Sequence, residues 1–300
     1  MNIFITGGLG FVGRHLSNGL LQDGHRVTAI GLTKNPDMID HPDFRYLAAD
    51  TSQPGDWQKV LKDHDVVINL AGKSIFTLWT DRVKRQIYDS RILTTRNLVA
   101  GLPKGRDTLL LSTSAVGYYG DRGEDLLTEE APPGDDFLAN LAQDWEKEAL
   151  AAESSGARVA LTRFGIVLDR DGGALAAMIP AFRLFLGGSL GSGRHWFPWI
   201  HMQDLVAGFR FVIETPSLSG PVNFCAPNPV RHEVLAKTLG QKLNRPACMP
   251  APAFMIKLVL GEFGEVLLCS QRAVPKRLTN AEFTFTYPDL DAALEEIVEQ

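Results

Sequence analysis

The amino-acid sequence predicts an α/β fold with a doubly wound parallel sheet and a smaller C-terminal region. Short apolar runs bounded by glycine or polar residues alternate with longer segments that have helical spacing. Strands that alternate with helices form a parallel sheet covered by helices on both faces. The hydrophobic fraction of 45% and the charged fraction of 22% are ordinary for a folded chain of 300 residues.

The predicted elements follow one another along residues 1–170. The run Asn2–Thr6 predicts a buried first strand, and Leu16 and Leu20 mark the apolar side of a helix over residues 11–23. Further strands are expected at residues 26–30, 46–49, 65–70, 108–112 and 159–163. Further helices are expected at residues 57–62, 81–101 and 137–152.

The pattern loosens after Gly172. Here the sequence predicts a strand at 222–225, helices at 230–243 and 290–298, and a linker at 246–252 that holds three prolines. We therefore expect a sheet domain and a smaller C-terminal region on the substrate side. The first comprises residues 1–170 and 195–227, and the second comprises residues 171–194 and 228–300.

A glycine-rich turn follows the first strand. Residues 6–13 contain G-x-x-G-x-x-G, with Gly7, Gly10 and Gly13 in the three glycine positions. These glycines permit a tight turn, close approach of a pyrophosphate and close packing of the next helix on the sheet. The helix N-terminus offers free N–H groups to phosphates. The sequence thus predicts a Rossmann-type dinucleotide site, to which we also assign Phe11 and Val12.

The residues after the second strand bear on the choice of dinucleotide. NAD-binding folds usually place an acid there for the ribose 2′-hydroxyl, but residues 27–36 contain none. Arg14 and Lys34 are basic residues suited to a 2′-phosphate, so we expect NADP(H) rather than NAD(H). Asp50, at the end of the third strand, is either a contact to the adenine amino group or a plain turn residue.

Several further motifs occur in the same order as in a known superfamily. They lie at residues 69–72, 112–114 and 199–204, with others at 90–92, 144–146, 191–194, 261–262 and 275–278. Together with the glycine motif and Asp50, they make the chain resemble an extended short-chain dehydrogenase/reductase. It is most similar to an atypical, epimerase-like branch of the NAD-dependent epimerase/dehydratase superfamily. That branch resembles the chain nearly end to end.

The resemblance implies roles for residues at the ends of three strands. Asn69, Ala71 and Gly72 would flank the dinucleotide at the edge of the fourth strand. Ser114 would supply the active-site hydroxyl after the fifth strand. Arg163 would lie near the nicotinamide end of the cofactor.

The Tyr-x-x-x-Lys pair of the superfamily is missing from the sequence. That spacing places both side chains on one helix face, where the lysine lowers the pKa of the tyrosine for proton transfer. None of the five tyrosines has a lysine four residues later, and Leu141 and Trp145 stand on the expected helix. The remaining catalytic candidates are Ser114 and the tyrosines Tyr118 and Tyr119, which are alternatively packing residues.

Two other groups near these motifs admit two interpretations each. Lys73 is either a cation of the site or a solvent-exposed lysine. His201 with Asp204 resembles a catalytic dyad, but we interpret the segment as a structural turn onto a helix. Nucleotide-sugar epimerases commonly carry Arg-Asp before this segment, whereas Pro198-Trp199 stands there in this chain.

Two functional hypotheses remain, and composition excludes others. The first is an NADP(H)-dependent oxidoreductase or epimerase-like enzyme acting on a small organic or nucleotide-sugar substrate. The second is a dinucleotide-binding sensor or scaffold without turnover. A net charge of −5 argues against nucleic-acid binding, and no apolar run is long enough for a membrane span. Three scattered cysteines argue against a disulfide framework or a metal site and favour a cytoplasmic protein. The expected partner is a small-molecule substrate, and a homodimer is the assembly left open.

Overall fold

A seven-stranded parallel sheet forms the centre of the protein. The structure is a computed structural model, and it describes residues 1–33 and 39–299. The sheet confirms the predicted fold class, with the strand order β11-β7-β5-β4-β1-β2-β3. Its strands are β1 (Asn2–Thr6), β2 (Arg26–Gly31), β3 (Phe44–Ala48), β4 (Val66–Asn69), β5 (Leu109–Ala115), β7 (Arg158–Phe164) and β11 (Gly220–Phe224). The strand β6 (Leu126–Leu127) lies outside this sheet.

The strand order reverses direction at β1. Strand β2 lies on one side of β1 and β4 on the other, so that Thr6 pairs with Ile30 and with Asn69. The loops that leave β1 and β4 therefore diverge to opposite faces of the sheet and open a crevice at its carboxyl edge. In open α/β sheets, ligands bind in this crevice.

Helices cover both faces of the sheet. On one face, Leu16 of α1 and Phe209 of α5 pack with Ile3 and Ile5 of β1 in one buried cluster. On the other face, Phe4 packs in a second cluster that takes in α2 and α3. The helices are α1 (Phe11–Gln22), α2 (Asp81–Gly101), α3 (Phe137–Leu150), α4 (Gly173–Arg183), α5 (Met202–Glu214), α6 (His232–Lys242), α7 (Ala253–Leu260), α8 (Glu262–Val266), α9 (Lys276–Asn280) and α10 (Leu290–Glu299).

A separate apolar cluster lies beneath the C-terminal region. It joins Leu175 of α4, Leu239 of α6 and Leu294 of α10 around the fully buried Trp199. Short strand pairs connect this region to the sheet domain. They involve β8 (Ile166–Asp169), β9 (Trp196–Phe197), β10 (Trp199–His201), β12 (Val230–Arg231) and β13 (Arg272–Ala273), with 3-10 turns at Asp56–Asp63, Val116–Tyr119 and Ala151–Ser155.

The structure differs from the sequence prediction in two ways that matter for the site. Helix α4 was not predicted, because its nearly continuous apolar sequence and Pro180 hide any helical period. Strand β5 extends beyond residue 112 to Ala115, paired with Phe164 at the end of β7. Ser114 therefore lies within the sheet rather than after it. No helix among the described residues is long and apolar enough to cross a membrane.

Candidate functional site

The glycine-rich turn is held in one conformation by its own backbone. Gly7 has a φ of +69° and donates its N–H to Ile30 O at 2.8 Å, while Gly10 N–H donates to Gly7 O at 2.9 Å. A Cβ at Gly13 would lie 2.1 Å from Gly7 O, so only glycine allows α1 to start this close to β1. The turn thus has the geometry that the glycine spacing predicts.

The N-terminus of α1 is open toward the crevice. Its N-cap residue is Gly10, and no side-chain cap hydrogen bond is present there. The first-turn amides are therefore available to an anion. The ring of Phe11 packs against Gly172, where a Cβ would lie 2.3 Å from it. Val12 packs against the core beside β1.

A buried chain of hydrogen bonds supports the crevice from behind. Thr6 Oγ1 donates to Asn69 Oδ1 at 2.7 Å and accepts from Ala71 N–H at 3.2 Å. Asn69 Nδ2 and Trp145 Nε1 both donate to Thr95 Oγ1 at 2.8 Å. Asn69 is fully buried, so its side chain holds the end of β4 in place and exposes no atom to a ligand.

The segment after β4 packs against a residue that the sequence interpretation did not assign. Gly72 is exposed, and a Cβ at this position would lie 3.0 Å from Cζ of Arg91 on α2. Lys73 is also exposed, but its ammonium donates to Gln86 Oε1 at 2.7 Å. The motif at residues 90–92 marked Arg91 in the sequence, but only the folded chain brings it to Gly72.

Ser114 is bound to a buried ion pair. Its hydroxyl donates to Glu146 Oε1 at 2.7 Å, and Arg163 Nε donates to the same oxygen at 2.7 Å. Arg163 also donates to Glu146 Oε2 at 2.8 Å. All three residues are buried. The Ser114 proton is therefore committed to a protein carboxylate, which leaves Oγ as an acceptor.

The surroundings of Arg163 keep its guanidinium charged. Burial alone lowers the pKa of this guanidinium, but the Glu146 carboxylate raises it above the ordinary value, so Arg163 is a fixed cation. It lies behind the strand ends, where its side chain is only 3% exposed. Glu146 was not predicted as a site residue, because an acid in a helix normally faces solvent. Its burial depends on the Arg163 cation of β7, which only the folded chain brings beside it.

The two candidate tyrosines differ in access. Tyr119 is fully buried, donates to Asn223 Oδ1 at 2.7 Å and accepts from Arg163 at 3.0 Å. Burial raises the pKa of Tyr119 to about 12. Tyr118 is partly exposed, and its ring centre lies 3.5 Å from Arg163 Cζ. Of the two phenols, only that of Tyr118 belongs to a residue that solvent reaches.

Helix α3 carries no acid or base at the Tyr-x-x-x-Lys positions. Leu141 and Trp145 are both buried, and the Trp145 ring lies under the guanidinium of Arg91 at 5.2 Å. The structure thus fills the expected catalytic pair with packing side chains. The hydroxyls and cations near the crevice come from other elements.

The remaining predicted residues lie around the rim. The Arg14 side chain is 29% exposed, with its guanidinium 3.7 Å from the Asp171 carboxylate. Asp50 is exposed and accepts from the Ser52 N–H at 2.9 Å, the arrangement of a turn. Lys34 lies outside the described residues.

His201 and Asp204 stabilise the fold of the C-terminal region. His201 is the N-cap of α5, where its Nδ1 accepts from Gln203 N–H at 3.2 Å. Asp204 accepts from the backbone N–H groups of Thr286 and Tyr287 at 2.7 and 2.9 Å. These bonds agree with the interpretation of a structural turn onto a helix.

Comparison with known families settles the relationship of the chain. The model of the NAD dependent epimerase/dehydratase family matches residues 3–224. The chain belongs to this family. Residues 251–297 match a second model, described as a domain of unknown function, DUF1731. This family member therefore combines the sheet domain with a distinct C-terminal segment, as the resemblance implied.

Relatives share the whole length of this family member. The chloroplastic epimerase family protein SDR39U1 homolog of Arabidopsis thaliana is 39% identical over 303 aligned positions, which cover 100% of the chain and 87% of the relative. The epimerase family protein YfhF of Bacillus subtilis is 38% identical, covering 99% of the chain and 98% of the relative.

Solved structures agree with the fold. The human epimerase family protein SDR39U1, crystallised with NADPH, superposes with a TM-score of 0.87 at 30% identity, covering 100% of the chain and 99% of the human protein. A UDP-glucuronic acid 4-epimerase from Bacillus cereus gives a TM-score of 0.81 at 17% identity, over 100% and 98% of the two chains. The second match shows the shared fold alone.

Proposed function

We propose that the protein binds NADP(H), with the diphosphate over the glycine-rich turn and the open N-terminus of α1. The observation that carries this proposal is the space above Gly10. A Cβ there would meet a single described atom within 4 Å, Gly7 O at 3.1 Å, while Gly13 and Gly7 are tightly enclosed. A phosphate placed in that space would accept hydrogen bonds from the first-turn N–H groups of α1.

The preference for the phosphorylated cofactor rests on charge at the crevice rim. Among the described residues 27–33 there is no acid to hold a ribose 2′-hydroxyl, whereas Arg14 stands in the first turn of α1. Its partner Asp171 is 70% exposed, so a 2′-phosphate can replace this weak surface contact. The human relative was crystallised with NADPH.

We further propose that the protein is an oxidoreductase or epimerase-like enzyme acting on a small organic or nucleotide-sugar substrate. When bound, the nicotinamide would supply or accept a hydride at a substrate carbon, and residues of the protein would hold or move the accompanying proton. The Tyr118 phenol is the hydroxyl that fits this role, because Tyr119 is sealed in the interior. Ser114 is buried and its proton goes to Glu146, so we assign it to holding the Glu146–Arg163 pair beside Tyr118 rather than to contact with the substrate.

The second candidate function, a dinucleotide-binding sensor without turnover, is favoured by Leu141 and Trp145. These buried side chains replace the superfamily's acid and base on α3. A screen of metabolites with NADPH absorbance as the readout separates the two functions. Oxidation or reduction of the cofactor by any substrate supports the enzyme, whereas tight binding without turnover across the screen supports the sensor.

The binding proposal is tested by calorimetric titration of the Gly10→Val variant with NADPH. The wild-type protein is expected to bind with low-micromolar affinity or better. The valine side chain should fill the space assigned to the diphosphate and weaken binding by more than about tenfold, with the fold intact by circular dichroism.

A matched control is Gly117→Ala, which adds a Cβ in ordinary contact with Leu138, 3.5 Å away, at another turn of the sheet edge. It should bind NADPH like the wild-type protein. Equal affinity in the wild-type protein and Gly10→Val would refute the assignment. Tighter binding of NADH than of NADPH would refute the cofactor preference.

A further inference from the structure

Arg91 places a cation beside the crevice. It lies on α2, and its NH1 donates to Lys73 O at 3.0 Å and to Ile87 O at 3.1 Å. These two backbone bonds fix the guanidinium against the segment that follows β4. Within the described part of the chain, Nε and NH2 make no hydrogen bond to protein.

This guanidinium has no protein anion beside it. Residues 1–33 and 39–299 place no carboxylate within ion-pair distance, unlike Arg163 and Arg96, which have Glu146 and Glu148. Burial lowers the pKa of Arg91 to about 10, which still leaves it charged at neutral pH. Arg91 is half-buried, and a cation partly removed from water without a counter-charge is costly. A bound anion would offset that cost.

The position of Arg91 identifies the part of the ligand that it faces. A Cβ added to Gly72, in the exposed segment after β4, would lie 3.2 Å from NH2 of Arg91. Its Cζ lies 5.2 Å from the ring centre of Trp145. Trp145 stands four residues after Leu141, where the superfamily has its lysine, so α2 supplies a cation beside the position from which α3 has lost one.

We propose that Arg91 binds the nicotinamide half of the dinucleotide, through oxygens of its phosphate and ribose. The inference rests on the proposed NADP(H) site and assigns to it a residue outside the glycine-rich turn. Arg91 acts as a binding and positioning residue, since its guanidinium keeps its proton at neutral pH. The adenosine half, with its own 5′-phosphate at the glycine-rich turn and its 2′-phosphate at Arg14, does not depend on it.

The test compares two ligands in two variants. Arg91→Gln removes the cation, and Arg96→Gln removes an exposed cation from the next turn of α2 as a matched control. Both are titrated with NADPH and with 2′,5′-ADP, which lacks the nicotinamide half. Arg91→Gln should weaken NADPH on the order of tenfold to a hundredfold and leave 2′,5′-ADP within about twofold. Arg96→Gln should change neither.

Two outcomes overturn the inference. One is unchanged NADPH affinity in Arg91→Gln, and the other is an equal loss for both ligands, which would mean that Arg91 only supports the fold. Arg91→Lys, which keeps the charge, covers the case in which Arg91→Gln does not fold. Arg91→Lys should weaken NADPH binding less than Arg91→Gln does, and it should leave 2′,5′-ADP binding unchanged. If the wild-type protein binds neither ligand, the proposed function itself fails.

Discussion

At the residue scale, access decides which hydroxyl is available for chemistry. Three hydroxyls near the carboxyl end of β5 are candidates for the chemistry, and the fold engages two of them. Ser114 donates to Glu146, and Tyr119 donates to Asn223. Burial raises the pKa of Tyr119 to about 12, so its proton is retained at neutral pH. Tyr118 is left as the one of the three that is partly exposed.

Tyr118→Phe and Tyr119→Phe are therefore expected to differ in kind. Tyr118→Phe should lower the turnover of any substrate found in the NADPH screen by at least about tenfold, because it removes the proton donor. Its unfolding free energy should stay close to that of the wild-type protein. Tyr119→Phe removes the buried donor to Asn223 Oδ1 and the acceptor of one Arg163 bond, and should cost about 1–3 kcal/mol of stability.

Steady-state kinetics and urea unfolding of both variants check this pair. Normal turnover in Tyr118→Phe would remove the tyrosine from the proposed chemistry. The sensor function would gain support if neither variant nor the wild-type protein turned over any substrate.

At the element scale, a buried ion pair fixes helix α3 to the sheet. Glu146 on α3 receives two bonds from Arg163 on β7 and one from Ser114 on β5. The same helix carries Glu148, whose side chain is 25% exposed and pairs with Arg96 at the surface. The two glutamates are two positions apart on α3, yet one pairs with an arginine in the interior and the other pairs with an arginine at the surface.

We expect Glu146→Gln to destabilise the protein by about 3–5 kcal/mol, because it leaves the Arg163 cation buried without a counter-charge. Glu148→Gln, the matched control, should cost about 0–1 kcal/mol, since water solvates Arg96 in its place. Denaturant unfolding at neutral pH measures both values. Equal losses would mean that burial does not separate the two pairs.

The elements also show where sequence patterns stop being informative. Apolar runs and glycines are local signals, so the sequence predicted β1, the glycine-rich turn and the alternation of strands with helices. Glu146 and Arg91 belong to the site through contacts with residues 17 to 19 positions away or on another element, which no local period records. Helix α4 escaped prediction because its apolar residues surround it on most sides.

At the scale of the whole molecule, buried histidines couple stability to pH. His232 on α6 packs against His195 with ring centres 4.9 Å apart, and its Nδ1 accepts from Leu190 N–H at 3.3 Å. Burial and, to a smaller extent, the neighbouring His195 together lower the pKa of His232 to about 4, and burial also lowers the pKa of His195. Both rings are therefore neutral in the folded protein at neutral pH.

The direction of the pH effect follows from these pKa values. The unfolded chain binds a proton at His232 near pH 6.5, whereas the folded protein resists it until about pH 4. The stability gained from His232 is therefore complete above pH 6.5 and is lost as the pH falls toward 4, by at most about 3 kcal/mol.

Denaturant unfolding at pH 7 and pH 5 tests this expectation. The loss between the two pH values should be smaller in His232→Gln than in the wild-type protein. His41→Gln, which changes a histidine nearer the surface, should behave like the wild-type protein. A pH response that His232→Gln leaves unaltered would assign the acid sensitivity to other groups.

Strand β11 completes the sheet late in the sequence, and this has a consequence for synthesis on the ribosome. Until residues 220–224 have emerged, β7 has an open edge, and Tyr119 and Glu129 lack the Asn223 groups that they bond. Open strand edges template wrong pairings. The nascent chain must therefore hold an unfinished sheet until β11 has been synthesised, the interval in which chaperones have most to protect.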